Sequence, residues 1–352
     1  MSRCRHFLVM LRQVFLIPLL VMGCAGFSFS QRSSEKSSDT GTKMDSRAEP
    51  LRRGDGFLAE YSRSGCSCFF KSSAPPRLCA RIQESIIVQA VSQDGGLKTD
   101  VEYGEAGGEK LLLDAHVPNG TGPFPVAILV HGGGWGSGGK EGDITPLLGP
   151  LSAANFTWFS INYRLAPKYH WPACFDDVRT AVRWVKVHAA EYKGDANKIA
   201  LVGYSAGGQL ACLATVTAND DTRVQAVVAL AAPTDLAADV ARRGGLSESL
   251  QALLDRPPTV DGATAGILEE MSPIHHLKPG LPPFLLIHGT EDKSVLHVQS
   301  ENFRTKVREN NVRCELLTIQ GAPHRISEWE KSDPGFKDSM IVWLKAALSS
   351  GK

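Results

Sequence analysis

Ser205 stands between glycines in Gly203-Tyr204-Ser205-Ala206-Gly207, directly after the apolar run IALV. A G-x-S-x-G at a strand end allows a sharp turn that holds the serine hydroxyl out, where a nearby base could make it a nucleophile. In a chain with 34 glycines the same pattern also arises as an ordinary tight turn. A base, an acid and an anion site must therefore be found elsewhere. Upstream, His131-Gly132-Gly133-Gly134-Trp135 follows the run PVAILV. Consecutive glycines leave backbone N–H groups unobstructed, and the amides of Gly133, Gly134 and Ala206 are the expected donors to an oxyanion. A flexible glycine loop is the plainer reading. His131 is expected to stabilise this loop rather than move protons.

Downstream, FLLIHGTED ends in two acids, Glu291 and Asp292, and His324 follows CELLTIQGAP. Each lies just past an apolar run, and the chain order is serine, acid, histidine. His324 would take the Ser205 proton during attack on an ester carbonyl, and the acid would hold the imidazole in the right tautomer. No metal or organic cofactor is needed for that chemistry. His288 lies inside an apolar strand end and reads as structural. His275, His276 and His297 are not strand-terminal and receive no role.

The elements that must position these residues read as an α/β fold. Two strands surround a Gly turn within residues 101–118, and further strands are expected at PVAILV, FTWFSINYR, KIALVG, VQAVVALAAP, PPFLLIHG and CELLTIQ. Helical patterns separate the later strands, as in CFDDVRTAVRWVKVHAAEY, where Phe175, Val178, Val182 and Val185 recur on one face. Alternation of this kind implies a mainly parallel central sheet with helices on both faces. Ligands then bind beyond the carboxyl ends of the strands, where all four candidates fall. An insert at residues 233–283 is expected to roof the site as a short lid. Its LSESLQALL segment reads as a helix turning Leu246, Leu250, Leu253 and Leu254 inward, as an acyl-pocket wall or as a lid packed on the core.

The chain has 352 residues and 43% hydrophobic content, enough for a large core. A net charge of +1 leaves no basic face for nucleic acid. Arg3, Arg5 and His6 precede the apolar stretch 14–22, which is shorter than the roughly 20 residues of a spanning helix and fits a secretory leader. We therefore expect a signal peptide at residues 1–24 and an exported protein, periplasmic, secreted or held at the membrane surface. VMGC at Cys24 resembles a bacterial lipoprotein cleavage site, which would give a lipid anchor. Ordinary cleavage near Ala25 is the other reading. Residues 25–53 are polar and read as a flexible linker. Residues 54–97 form an N-terminal extension whose Cys66, Cys68 and Cys79 could supply a disulfide. The catalytic domain is expected over residues 98–350, with Cys174, Cys212 and Cys314 as buried thiols.

Taken together, HGGGW, INYRLAPKYHWPACFDDVRTAVRW, VGYSAGGQLA, MSPIHHL, PPFLLIHGTEDKSV and GAPH resemble the α/β-hydrolase serine esterase/lipase families related to hormone-sensitive lipase. The resemblance covers about residues 98–348. It implies an α/β-hydrolase fold, with Ser205, Asp292 and His324 as triad and Asp292 preferred over Glu291. It also implies that Asp177 is structural. Tyr204 departs from the acidic residue often found before the nucleophile in that group, and Arg325 from the small or apolar residue often found after the histidine. Tyr204 and Trp135 are the expected substrate-binding side chains, although packing alone would also account for Trp135. The compact, Cys-bearing front is more similar to exported acetyl and feruloyl esterases acting on plant polysaccharide esters. The expected activity is carboxylic-ester hydrolysis through an acyl-enzyme, on short-chain or aromatic acyl esters. An amidase of the same fold, a formamidase or a serine peptidase, is the alternative, and a non-catalytic binding protein is a third reading.

Overall fold

The computed structural model describes residues 95–349. The expected leader with Cys24, the linker and nearly all of the extension with Cys66, Cys68 and Cys79 lie outside the described residues. The first element, β1 (Gly96–Ala106), turns through Gly107 and Gly108 into β2 (Glu109–Val117). Both glycines have positive φ, +60° and +77°, a conformation that a β-carbon disfavours. The chain continues through β3 (Phe124–Val130), α1 (Leu148–Ala153), β4 (Thr157–Ile161), α2 (Ala173–His188) and β5 (Gly194–Tyr204). Next come α3 (Ala206–Val216) and β6 (Ala226–Leu230), then the insert helices α4 (Leu236–Arg243), α5 (Glu248–Leu254) and α6 (Gly262–Met271). The fold closes with β7 (Phe284–Gly289), α7 (Val298–Glu309), β8 (Cys314–Ile319) and α8 (Phe336–Ser349).

The strands form one eight-stranded sheet in the order β1-β2-β4-β3-β5-β6-β7-β8. β2 pairs antiparallel with both β1 and β4, and every later pairing is parallel. The mainly parallel sheet expected from the alternation is thus present, as the α/β-hydrolase resemblance also implies. Its central strands are buried on both faces: every residue of β4, β6 and β7 is buried, which explains their unbroken apolar runs. One face packs Ile128 and Phe159 against Val178 and Val182 of α2, Leu210 of α3 and Phe303 of α7. The other packs Leu129 and Val202 against Leu151 of α1 and Met340 and Leu344 of α8. A fully buried leucine such as Leu129 contributes roughly 2 kcal/mol of transfer free energy.

The stripe on α2 differs from the expected one at its start. Cys174 fills the buried position, while Phe175 is half-buried and stacks on Trp171 with ring centroids 5.4 Å apart. Asp177 on this helix is buried and accepts from the Arg164 guanidinium at 2.7 Å and from the Arg164 amide at 2.8 Å. It thereby pins the segment after β4 to the helix. Cys174, Cys212 and Cys314 are buried free thiols. In the insert, Ser247 caps α5 and Leu246, Leu250, Leu253 and Leu254 are buried against the main core.

Candidate active site

Four strand ends meet at one edge of the sheet. β5 delivers Ser205 at its end, and α3 starts at the next residue. Ser205 has φ +53° and ψ −119°, a strained conformation for a residue with a side chain, held by its amide donating to Leu230 O at 2.8 Å. The flanking glycines are sterically required. A β-carbon on Gly203 would lie 2.2 Å from Gly207 O, and one on Gly207 2.2 Å from Val130 O. The turn is that tight because α3 starts directly against the ends of β5 and β3.

His324 stands in the loop after β8, with Nε2 3.0 Å from Ser205 Oγ and Nδ1 2.7 Å from Asp292 Oδ2. Nδ1–H donates to the carboxylate, leaving Nε2 as acceptor for the serine proton. Two bonds hold this loop. The Tyr204 hydroxyl donates to His324 O at 2.9 Å, and Trp329 Nε1 donates to Pro323 O at 2.7 Å. Asp292 follows β7 and is 2% exposed. Its Oδ1 accepts the amides of Ser294 and Val295, both at 2.9 Å. Burial opposes its charge, but hydrogen bonds from His288 and His324 outweigh that and hold the carboxyl well below the usual carboxylate range. Glu291, the competing acid, instead carries an exposed ion pair with Lys293 at 3.0 Å.

The loop after β3 turns back on itself, with Ser137 N donating to Gly133 O at 3.0 Å. Gly133 has φ +95°, and a β-carbon there would lie 2.0 Å from Ser137 O. Side chains brace the loop from below. Asp143 Oδ1 accepts the Gly132 amide at 3.0 Å, Tyr163 donates to Gly132 O at 3.0 Å, and His131 Nδ1–H donates to the same carbonyl at 2.8 Å. His131 is stacked on Tyr163, and burial lowers its pKa to about 4, so the ring is neutral and serves the loop. The amides of Gly133, Gly134 and Ala206 line the same cavity as Ser205 and His324, and no hydrogen bond within the described residues engages them.

That cavity has a volume of about 570 Å³ and is roofed by the insert through Leu236, Arg243, Ser247, Ser249 and Leu250. A larger cavity of about 810 Å³, beside Lys140, Arg164 and Tyr169, has neither serine nor histidine in its wall. The two expected substrate-binding side chains both reach the smaller cavity, but both are buried and tied to the framework. Trp135 Nε1 donates to Gln209 Oε1 at 3.0 Å, and Gln209 donates on to Met271 O at 2.6 Å. Trp135 thus links the glycine loop, α3 and the end of α6. Tyr204 spends its hydroxyl on the His324 loop.

Two contributors, Asp143 and Gln209, escaped the sequence reading, and a third, His288, was read only as structural. His288 shares Asp292, Asp143 braces the glycine loop, and Gln209 joins that loop to the insert. His288 had a signal, four residues before Asp292 at the end of β7. Asp143 and Gln209 had none, because their roles arise only through contacts across the fold.

An arrangement of this kind can abstract the serine proton, form an acyl-enzyme and meet the tetrahedral oxyanion with backbone donors. Solved structures with the same fold include a truncated carbohydrate esterase from gut microbiota, 23% identical with a TM-score of 0.63, covering 74% of this chain and 99% of that one. Apo esterase 2 of Thermogutta terrifontis is 24% identical with a TM-score of 0.58, over 71% and 92% of the two chains. Among curated relatives, the probable carboxylic ester hydrolase LipM of Mycobacterium tuberculosis is 34% identical over 60% of this chain and 51% of its own. The carboxylesterase NlhH of Mycobacterium tuberculosis is 28% identical over 65% of this chain and 72% of its own. The chain spans about half the length of the first three curated relatives it matches. The model of the BD-FAE family matches residues 113–307, more than half of the sequence, and the chain belongs to that family.

Proposed function

We propose that this chain is an exported serine carboxylic-ester hydrolase that acts through an acyl-enzyme on short-chain or aromatic acyl esters, with acetyl or feruloyl esters of polysaccharides as the natural class. The observation that carries the reading is the line Ser205 Oγ–His324 Nε2, 3.0 Å, and His324 Nδ1–Asp292 Oδ2, 2.7 Å, opening on a cavity with unengaged backbone amides. Ser205 is the nucleophile, His324 the base and Asp292 the orienting acid; Gly133, Gly134 and Ala206 supply the oxyanion donors. The cavity's volume fits a small substrate, since ligand sites commonly measure about 300–1,000 Å³. Its wall mixes Leu236 and Leu250 with Ser247, Ser249, Arg243 and Lys293, which favours a short polar ester over a long acyl chain. The names of LipM and of the gut carbohydrate esterase support ester rather than amide chemistry.

Export rests on the basic start, the apolar stretch 14–22 and Cys24. A substrate panel of p-nitrophenyl acetate, acetyl xylan, methyl ferulate, N-formylkynurenine and a proline anilide tests the activity. Ester turnover that vanishes in Ser205→Ala is expected; faster turnover of the amides would overturn the ester assignment.

A further inference from the structure

Two carboxylates line the cavity around Ser205, and they are placed differently. Asp239 is spent on cations, with Arg242 and Arg243 each 2.6 Å away. Asp143 has no cation partner among the described residues. Only the Gly132 amide, at 3.0 Å, and its own amide reach its oxygens. A carboxylate offers about four acceptor positions, and protein amides take two of them here. The Gly132 amide holds its Oδ1, and its Oδ2 lies beside the Gly132 α-carbon, 2.7 Å from where a β-carbon would stand. Tyr204 flanks the same spot, with Cδ1 3.0 Å from that β-carbon position. Burial raises the Asp143 pKa, opposed by the Gly132 amide and by the nearby charge of His324. A half-buried acceptor anchored to the oxyanion loop and lining the cavity is placed to receive a donor from a bound molecule.

We propose that Asp143 is a specificity-determining residue that accepts a hydrogen bond from a free hydroxyl close to the scissile ester, so that the site selects hydroxylated esters. This rests on the ester-hydrolase reading of Ser205. A hydroxyl is the donor that the proposed ester substrates carry, and Arg243 and Lys293, which also line the cavity, are each paired with a carboxylate, Asp239 and Glu291. Ser247 and Ser249 on the roof add partners for further hydroxyls of a polyol or sugar.

The test compares kcat/KM for two pairs that differ only by hydroxyl in place of methyl. On the alcohol side the pair is 2-hydroxyethyl acetate and propyl acetate; on the acyl side it is ethyl lactate and ethyl isobutyrate. The wild-type protein should prefer the hydroxylated member of one pair by roughly tenfold or more, the scale of a hydrogen bond to a charged group. The pair that shows the preference assigns the side of the ester. Asp143→Asn retains an acceptor for Gly132 but makes only neutral hydrogen bonds, so the ratio should fall several-fold. Asp143→Ala should bring the ratio close to one. Fluorophosphonate labelling of Ser205 and thermal unfolding verify that each variant is folded. No preference in the wild type, or a ratio unchanged in both variants while both rates fall together, would overturn the inference and leave Asp143 as a brace of the loop. A wild-type protein that hydrolyses none of the four esters would overturn the ester-hydrolase reading itself, and this inference with it.

Discussion

Nε2 of His288 lies 3.2 Å from Oδ2 of Asp292, the same oxygen that Nδ1 of His324 reaches at 2.7 Å. Both side chains of the His288–Asp292 pair are fully buried. Nε2–H of His288 also donates to Val295 O at 2.9 Å, and its Nδ1 accepts from Ser300 Oγ at 2.7 Å. This network holds the same carboxylate oxygen that His324 uses. His288→Ala should therefore lower kcat about tenfold or more with a smaller change in KM, since one donor to a charged oxygen is lost. His288→Gln, which can still present a donor there, should recover much of the loss. Steady-state kinetics of the two variants checks this.

Asp292→Asn should be more severe. The amide cannot accept from His324 Nδ1–H at the position where its nitrogen lies, so the imidazole loses its orienting partner. A fall in kcat of about 10⁴ is expected from the behaviour of such triads, with thermal stability much less affected. Glu291→Gln, at the exposed neighbour, should change kcat less than twofold.

The glycine loop gives a separate prediction. Gly133→Ala would place a β-carbon 2.0 Å from Ser137 O at a φ of +95°, so the turn must shift. Loss of a donor to the oxyanion typically costs about 10²–10³ in kcat. The variant should show that loss while still being labelled slowly by a fluorophosphonate, because Ser205, His324 and Asp292 are untouched.

His131 links the loop to pH-dependent stability. Its pKa is lowered to about 4 by burial, and its Nε2 has no hydrogen-bond partner among the described residues. An unfolded histidine titrates near 6.5, so between about pH 4 and 6.5 the unfolded chain binds a proton that the folded one refuses. Stability must then fall as the pH drops through that window, by an amount on the order of 3 kcal/mol. His131→Asn keeps a donor for Gly132 O and removes the titration. Its thermal midpoint should depend less on pH from 6.5 to 4 than that of the wild type.

The eight strands and the convergence of their ends were legible because apolar runs of β-forming residues alternate with helical patterns, with glycines where Ser205 and Gly133 need them. Ser205 and His324 could be named because each lies past such a run in the order serine, acid, histidine, and Asp292 was preferred to Glu291 because the family resemblance implies it. What the sequence hid depends on distance in the chain. Gln209 bonds to Trp135 74 residues away and to Met271 62 away, and no local pattern encodes either contact. Trp135 and Tyr204 were legible as cavity residues, but not as side chains already committed to Gln209 and to the His324 loop. Two of the insert helices, α4 and α6, were also hidden. Charges interrupt the apolar residues of α4, LAADVARR, and glycines and acids those of α6, GATAGILEEM, while their caps, Asp235 and Asp261, are short-range signals among many similar residues.

The central claim is that Ser205 forms an acyl-enzyme. Acid quenching within the first turnover of p-nitrophenyl acetate, followed by peptide mapping, measures this directly. The predicted result is an acetyl group on Ser205 that is absent in Ser205→Ala and accumulates when water attack is slow. Nitrophenol release with Ser205 unmodified, or an acetyl group on another residue, would contradict it.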